Sequence, residues 1–150
     1  MHDLHAIAIG KGPGSYTGLR IGVSAAKGLC YALNKPLISV PTLEIIALQI
    51  PLENNEIVVP LLDARRMEVY SAIFDHNYRQ IRQTEAEIID KTSFKTFLDK
   101  GIVHFAGDGA EKCKVLIKHD NARFVSDVFP SAREMAAIAN GKFKARDFED

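Results

Sequence analysis

A glycine-rich segment near the N-terminus carries the strongest local signal for chemistry. The segment Gly12–Gly18 (GPGSYTG) separates a short apolar run from a longer amphipathic one. Backbone amides in such a turn, here around Gly12, Gly14 and Ser15, can bind a phosphate or another anion at a helix N-terminus. The segment is not a P-loop, because Leu-Arg follows the last glycine in place of Lys and a hydroxyl residue. A tight turn in which Ser15 caps the helix is the alternative interpretation.

Two further turns contain residues that could bind an anion. Asp63 and Arg65 lie between two apolar runs, and an arginine there can bind phosphate or the carboxylate of a partner. Gly107 and Gly109 follow another apolar run and precede a helical pattern. These four residues are therefore candidates for nucleotide or anion binding. The alternatives are a solvated hairpin at the first turn and a short glycine turn at the second.

The sequence contains no recognisable catalytic or metal-binding set. No Ser/His/Asp order, paired carboxylates or H-E-x-x-H motif is present, and His2 and His5 would project to opposite faces of a strand. Cys30 and Cys113 are far apart and outside any zinc spacing, which indicates buried thiols in a reducing compartment. We predict no catalytic residue, no metal site and no cofactor bound by this chain alone.

Composition and charge are those of an ordinary folded protein. The 150 residues are 47% hydrophobic, and 19 basic and 19 acidic residues cancel. Without a basic excess, we expect any RNA binding to be shared with a partner. The lysines of 112–118 and 142–144 are interpreted as solvated helix faces. No leader pattern or long apolar run is present, so we expect a cytoplasmic protein that makes no membrane contact.

The elements around the first glycine turn follow a βαβα pattern. We predict a strand over His5–Gly10, a helix over Tyr16–Leu33, a strand over Leu37–Val40 and a helix over Leu43–Ile50. Thr42 is the expected N-cap of the second helix. The glycine-rich turn therefore joins a strand to a long amphipathic helix.

The second part of the chain has a longer pattern, βββαβαβα, which begins with an antiparallel meander. The predicted elements are strands over 56–63, 67–74 and 80–89, a helix near 93–100, a strand over 102–106, a helix over 110–118, a strand over 122–125 and a helix from Ser131. We therefore predict an α/β protein with two copies of one unit. Residues 1–50 would be the remnant of an incomplete N-terminal lobe and residues 56–150 the C-terminal lobe.

The first long helix has small residues along one side. Gly18, Gly22 and Ala26 recur at intervals of four, with Ala25 and Leu29 beside them. Each glycine costs about 1 kcal/mol relative to alanine in a helix, so a close contact should compensate. The helix could pack closely on its own sheet or on the helix of a partner. We treat these five residues as the candidate partner interface.

Several motifs together carry a resemblance to a known family. They are Gly12–Gly22, Ser24–Leu29, Pro41–Glu44, Asp63–Arg66, Glu68–Tyr70 and Gly107–Ala110. In order and spacing they closely resemble the TsaB/YeaZ family. The resemblance implies a duplicated fold of the actin-like ATPase and sugar kinase (ribonuclease H-like) type. It also implies a non-catalytic role in placing threonylcarbamoyl on adenosine in tRNA.

The resemblance further implies partners and an incomplete first lobe. The family pairs with TsaD, its catalytic paralogue, and assembles with the ATPase TsaE; those subunits use ATP and metal, and tRNA is reached through the complex. The helix Tyr16–Leu33 matches part of the family's partner surface. The sequence lacks the usual first meander and helix and stops without a finishing element, so we expect the His5–Gly10 strand to be unpaired and to favour homodimers. The alternative functions are an autonomous nucleotide-binding ATPase or kinase and a glycoprotease-like metallopeptidase.

Overall fold

Contacts divide the chain into two compact units. The computed structural model describes residues 3–149, so the prediction for His2 lies outside the described residues. The first unit comprises Met1–Ile45 and Ser131–Asp150, and the second comprises Ile46–Pro130. The predicted division differs in residues 131–150, which it assigned to the C-terminal lobe. The physical reason is that the last helix packs on the two strands of the first unit.

The first unit is built around a two-stranded parallel sheet. Its strands pair from Ile7 with Leu37 to Gly10 with Val40. The strand expected to be unpaired therefore has a partner on one edge. The elements are β1 (Ile7–Gly10), α1 (Tyr16–Leu33), β2 (Leu37–Val40), α2 (Thr42–Ala47, which begins in this unit) and α5 (Ala132–Ala145).

The small core of the first unit lies between the sheet and α5. Ile38, Val40 and Ala139 are buried there, and Ala8 and Phe143 pack against them. The other face of the sheet receives α1, whose Gly22 lies against Ile9. The two strands are thus covered by one helix on each face.

The second unit contains β3 (Ile57–Asp63), β4 (Glu68–Asp75), β5 (Gln80–Ile88), α3 (Lys95–Leu98), β6 (Val103–Ala106), α4 (Ala110–Leu116) and β7 (Ala122–Val125). Its strands form a five-stranded mixed sheet with the order β5-β4-β3-β6-β7. β3 pairs antiparallel with β4 and parallel with β6, so it is central. Its core is formed mainly by residues with no exposed surface, such as Val59, Leu61 and Phe105.

The structure confirms the predicted order of elements, with small differences at their ends. Thr42 begins α2 and does not precede it, and α2 ends at Ala47. Ser131 caps α5 by accepting a hydrogen bond from the amide of Arg133 at 3.1 Å. Glu134 contacts the hydroxyl of Ser131, whereas a capping box would place it on the backbone amide. These differences lie at helix ends, where short-range contacts compete.

Candidate functional site

A backbone hydrogen bond holds the glycine-rich turn to the start of α2. The carbonyl of Gly12 accepts from the amide of Thr42 at 2.9 Å, and Gly12 has a φ of +96°. Ser15 caps α1, as in the alternative interpretation of this turn, because its hydroxyl accepts from the amide of Gly18 at 3.3 Å. Gly14 and Ser15 are exposed. The hydroxyl of Ser15 therefore occupies one of the backbone amides in the first turn of α1. Anion binding at this turn remains a prediction.

The inner face of α1 contains two of the five residues predicted for a partner interface. Ala26 is 5% exposed and is the one buried residue of the helix. A Cβ added at Gly22 would lie 3.2 Å from Cδ1 of Ile9, so this glycine permits close packing on β1. The structure differs from the prediction at these two positions. A spacing of four drifts around a helix with 3.6 residues per turn, which takes Gly22 and Ala26 toward the sheet.

The outer face of α1 contains the other three predicted residues in a continuous apolar stripe. Gly18, Ala25 and Leu29 are exposed, and Leu29 retains 43% of its surface. Ile21, at 66% exposure, was missed by the sequence analysis although it lies four residues before Ala25. We call this stripe the outer seam of α1. Its members are Gly18, Ile21, Ala25, Gly28, Leu29 and Ala32.

Lys112 forms hydrogen bonds to the β3–β4 hairpin at the second predicted anion site. Its ammonium donates to Oδ1 of Asp63 at 2.9 Å and to the carbonyls of Arg66, at 3.0 Å, and Glu68. Its side chain is only 15% exposed, so the interpretation of Lys112 as a solvated lysine was wrong. The hydrogen bond from Lys112 is the main cause that lowers the pKa of Asp63, and the amide of Arg65, 2.6 Å from the same oxygen, adds to it.

The third predicted anion site adjoins this hairpin. Oδ1 of Asp108 accepts from the amide of Asp63 at 2.8 Å, and the amide of Gly109 donates to the carbonyl of Leu61 at 3.2 Å. A Cβ at Gly107 would lie 2.2 Å from that same carbonyl oxygen. The predicted residues Asp63, Gly107 and Gly109 are therefore brought together. Their polar groups already have partners: the carboxylate of Asp63 binds Lys112, the amide of Gly109 binds Leu61 and the carbonyl of Gly107 binds Ala110. These bonds stabilise the turn.

Other reactive groups of the described residues do not form a catalytic arrangement. Burial raises the pKa of Cys113 to about 12, which removes the thiolate that a nucleophile needs. Cys30 is half-buried. Within residues 3–149, no three His, Cys, Asp or Glu side chains are placed to hold a metal ion. No helix in this part of the chain is both long and apolar enough to span a bilayer.

Comparison with known proteins identifies the group to which this architecture belongs. The sequence model of TsaD, described as tRNA N6-adenosine threonylcarbamoyltransferase, matches residues 1–142. The chain is 40% identical over 81 residues to the Bacillus subtilis tRNA threonylcarbamoyladenosine biosynthesis protein TsaB, a match that covers 54% of this chain and 35% of the relative. It is also 40% identical over 88 residues to the Escherichia coli protein of the same name, covering 56% and 38%.

Solved structures show the same fold over nearly the whole chain. The structure described as YeaZ from Pseudomonas aeruginosa has a TM-score of 0.83 and 25% identity, and the match covers 99% of this chain and 70% of that one. An uncharacterized Pseudomonas aeruginosa protein with similarity to peptidase YeaZ gives 0.84 and 24%, with the same coverage. The matched segments span little more than a third of the curated relatives. The chain therefore belongs to the tRNA N6-adenosine threonylcarbamoyltransferase family, in its TsaB/YeaZ group, with an actin-like, ribonuclease H-like fold.

Proposed function

We propose that this chain is a non-catalytic subunit of the machinery that forms threonylcarbamoyladenosine in tRNA, and that it pairs with a TsaD-type paralogue through α1. The observation that carries the proposal is the outer seam of α1. The names of the curated relatives support the pathway, since they are called threonylcarbamoyladenosine biosynthesis proteins. Because the matches span little more than a third of those relatives, their activity is extended to this chain only as a proposal.

The outer seam has the properties of a helix-packing surface. Ile21 and Leu29 expose 66% and 43% of their surface, which is unfavourable for apolar side chains in water. Gly18 and Ala25 lie beside them, and their small size allows a partner helix to approach the backbone of α1 closely. Small residues flanked by larger apolar ones are suited to ridges-into-grooves packing. A helix of a related subunit is the partner that fits this shape.

The proposed division of labour leaves the chemistry to the partners. Asp63 is engaged by Lys112, and the raised pKa of Cys113 keeps that thiol protonated. We therefore assign ATP, metal and the transfer step to the TsaD-type and TsaE-type subunits, and tRNA binding to the assembled complex. The proposed setting is the cytoplasm, where the tRNA substrate is found.

Co-purification with the TsaD-type paralogue of the same genome tests this proposal. A 1:1 complex by light scattering is expected, with modified adenosine in tRNA formed only when TsaD, TsaE and the adenylate-forming enzyme are also present. Ala25→Arg should weaken the complex at least tenfold, because it places a bulky charge in the centre of the seam. Ser24→Arg is the matched control, since Ser24 is exposed on the neighbouring side of the helix. Equal binding by both variants, or a complex that never forms, would overturn the proposal.

The autonomous ATPase alternative has its own test. It requires Asp63 to hold magnesium, yet Oδ1 of Asp63 already accepts hydrogen bonds from Lys112 and from the amide of Arg65. Magnesium-dependent ATP hydrolysis by the isolated chain that disappears in Asp63→Asn would favour the alternative. Chelator-sensitive proteolysis would favour the metallopeptidase instead.

Self-association of the chain is a separate outcome. If it persists in Ala25→Arg, the homodimer contact lies outside the seam.

A further inference from the structure

A groove lies between α1 and β2 in the first unit, on a different side of the helix from the outer seam. Two adjoining cavities of about 220 and 420 Å³ form it, and both are lined by Lys27, Leu37 and Glu149. Apolar side chains contribute much of the lining; they are Ile9, Val23, Cys30, Tyr31, Pro36 and Leu37. The lysines that line it are Lys11, Lys27 and Lys35. The groove is thus apolar with three basic groups around it.

Glu149, in the segment that follows α5, reaches this groove. The amide of Glu149 donates to the carbonyl of Leu37 at 2.9 Å, which forms an antiparallel bridge on the outer edge of β2. The hydroxyl of Ser39 donates to the carboxylate of Glu149. Ser39 is 5% exposed, so without an acceptor its hydroxyl would be buried and unsatisfied. The groove therefore already holds one acidic side chain, with its backbone amide bound to the edge of β2.

We propose that this groove is a docking site for an extended acidic segment of a partner protein, and that Glu149 occupies it as an internal substitute. The edge of β2 offers backbone groups to any added strand, while Ser39 and the lysines favour a carboxylate. Among residues 3–149, the internal contact is a single bridge. A partner strand that pairs along all of Leu37–Val40 would make more hydrogen bonds and can displace it.

The proposal does not depend on the proposed function. Lys27 and Ala25 are two residues apart on α1 and therefore point about 200° apart around the helix axis. A partner helix on the outer seam and an acidic strand in the groove would contact opposite sides of α1. Failure of one interaction thus leaves the other to be tested separately.

The probe is a fluorescein-labelled peptide with the chain's own sequence 145–150, ARDFED, and binding is measured by fluorescence anisotropy with the full chain. Glu149→Pro removes both the amide donor and the carboxylate of the internal strand. Because the tethered segment competes at a high effective concentration, the peptide should bind this variant at least tenfold more tightly than the unaltered chain. Adding Lys27→Glu should reverse that gain, whereas Lys91→Glu, an exposed charge reversal in the second unit, should not.

The same titration with amides in place of the peptide's carboxylates should give at least tenfold weaker binding. Circular dichroism of each variant confirms that the fold is retained. Equal affinity for the unaltered chain and Glu149→Pro would overturn the proposal, as would indifference to Lys27→Glu. Complete displacement of the peptide by equimolar acetate would also overturn it, because the groove would then bind a small carboxylate and not a strand.

Discussion

The two units contain the same parallel strand–helix–strand element, yet they bury it differently. In the second unit, β6 is paired on both edges, and Ala110 and Cys113 of the following helix are fully buried. In the first unit, β1 is paired with β2 alone among the described residues, and α1 buries only Ala26. A similar local pattern therefore forms strand, turn and helix in both. The unit with fewer paired strands covers less of its helix, and the outer seam of α1 stays exposed.

The glycine turns show the same contrast at atomic scale. Gly107 and Gly12 both have positive φ, +113° and +96°. A Cβ at Gly107 would lie 2.2 Å from the backbone carbonyl oxygen of Leu61, on the adjoining strand β3. At Gly12, the nearest atom would be Cδ1 of Leu19, 3.1 Å away at the end of a flexible side chain. At Gly107 the neighbouring strand leaves no room for a side chain, whereas at Gly12 the positive φ is the main reason for glycine.

Replacing these glycines should have the largest effect and would separate the two requirements. Gly107→Ala should lower the free energy of unfolding by at least about 3 kcal/mol, because it adds a backbone clash to the strain of positive φ. Gly12→Ala should cost about 1–2 kcal/mol from backbone strain alone. Gly141→Ala, in α5 with open space around it, should instead stabilise by about 0.5–1 kcal/mol. Urea unfolding measures all three, and equal losses at Gly107 and Gly12 would contradict the comparison.

Two adjacent alanines of α1 test which side of the helix is covered. Ala26→Asp should destabilise the protein by about 2–4 kcal/mol, because it buries a carboxylate without a partner. Ala25→Asp carries the same loss of helix propensity but stays in water, so it should cost less than about 1 kcal/mol. Thermal unfolding followed by circular dichroism compares the pair. Similar losses in both variants would mean that the outer seam is covered.

Lys112 tests the hairpin of the second unit. Lys112→Met should cost about 2 kcal/mol, since it removes the ammonium that donates to the carboxylate of Asp63 and to two backbone carbonyls. Lys114→Met is the matched control two residues away. Its side chain is 56% exposed, and its ammonium forms a 3.8 Å ion pair with Glu111 that is expected to contribute less than about 0.5 kcal/mol. A loss at Lys112 no larger than the loss at Lys114 would show that the hairpin does not depend on this contact.

The sequence predicted the positions of helices and strands better than the contacts between residues far apart in the chain. Periodic apolar spacing identified α1 as Tyr16–Leu33, because a helix face repeats locally. The same pattern could not show that Ala26 faces the sheet while Ala25 faces solvent, since small residues occur on both sides. Lys112 was missed because its acceptors lie more than forty positions earlier in the chain. The Glu149 contact with Leu37 and Ser39 was missed for the same reason, as it joins residues more than one hundred positions apart.

The pH dependence of stability should be the smallest of these effects, and it tests whether the contact between Lys112 and Asp63 stabilises the hairpin. Because Lys112 lowers the pKa of folded Asp63 below its unfolded value of about 3.9, the carboxylate stabilises the fold above about pH 4. This contribution is lost as the pH falls through the lowered folded pKa. The stability difference between the unaltered chain and Asp63→Asn should therefore shrink between pH 6 and pH 3. In a Lys112→Met background the same difference should change much less with pH, because the main cause of the lowered pKa of Asp63 is gone. An unchanged pH dependence in that background would assign the lowered pKa to the amide of Arg65 instead.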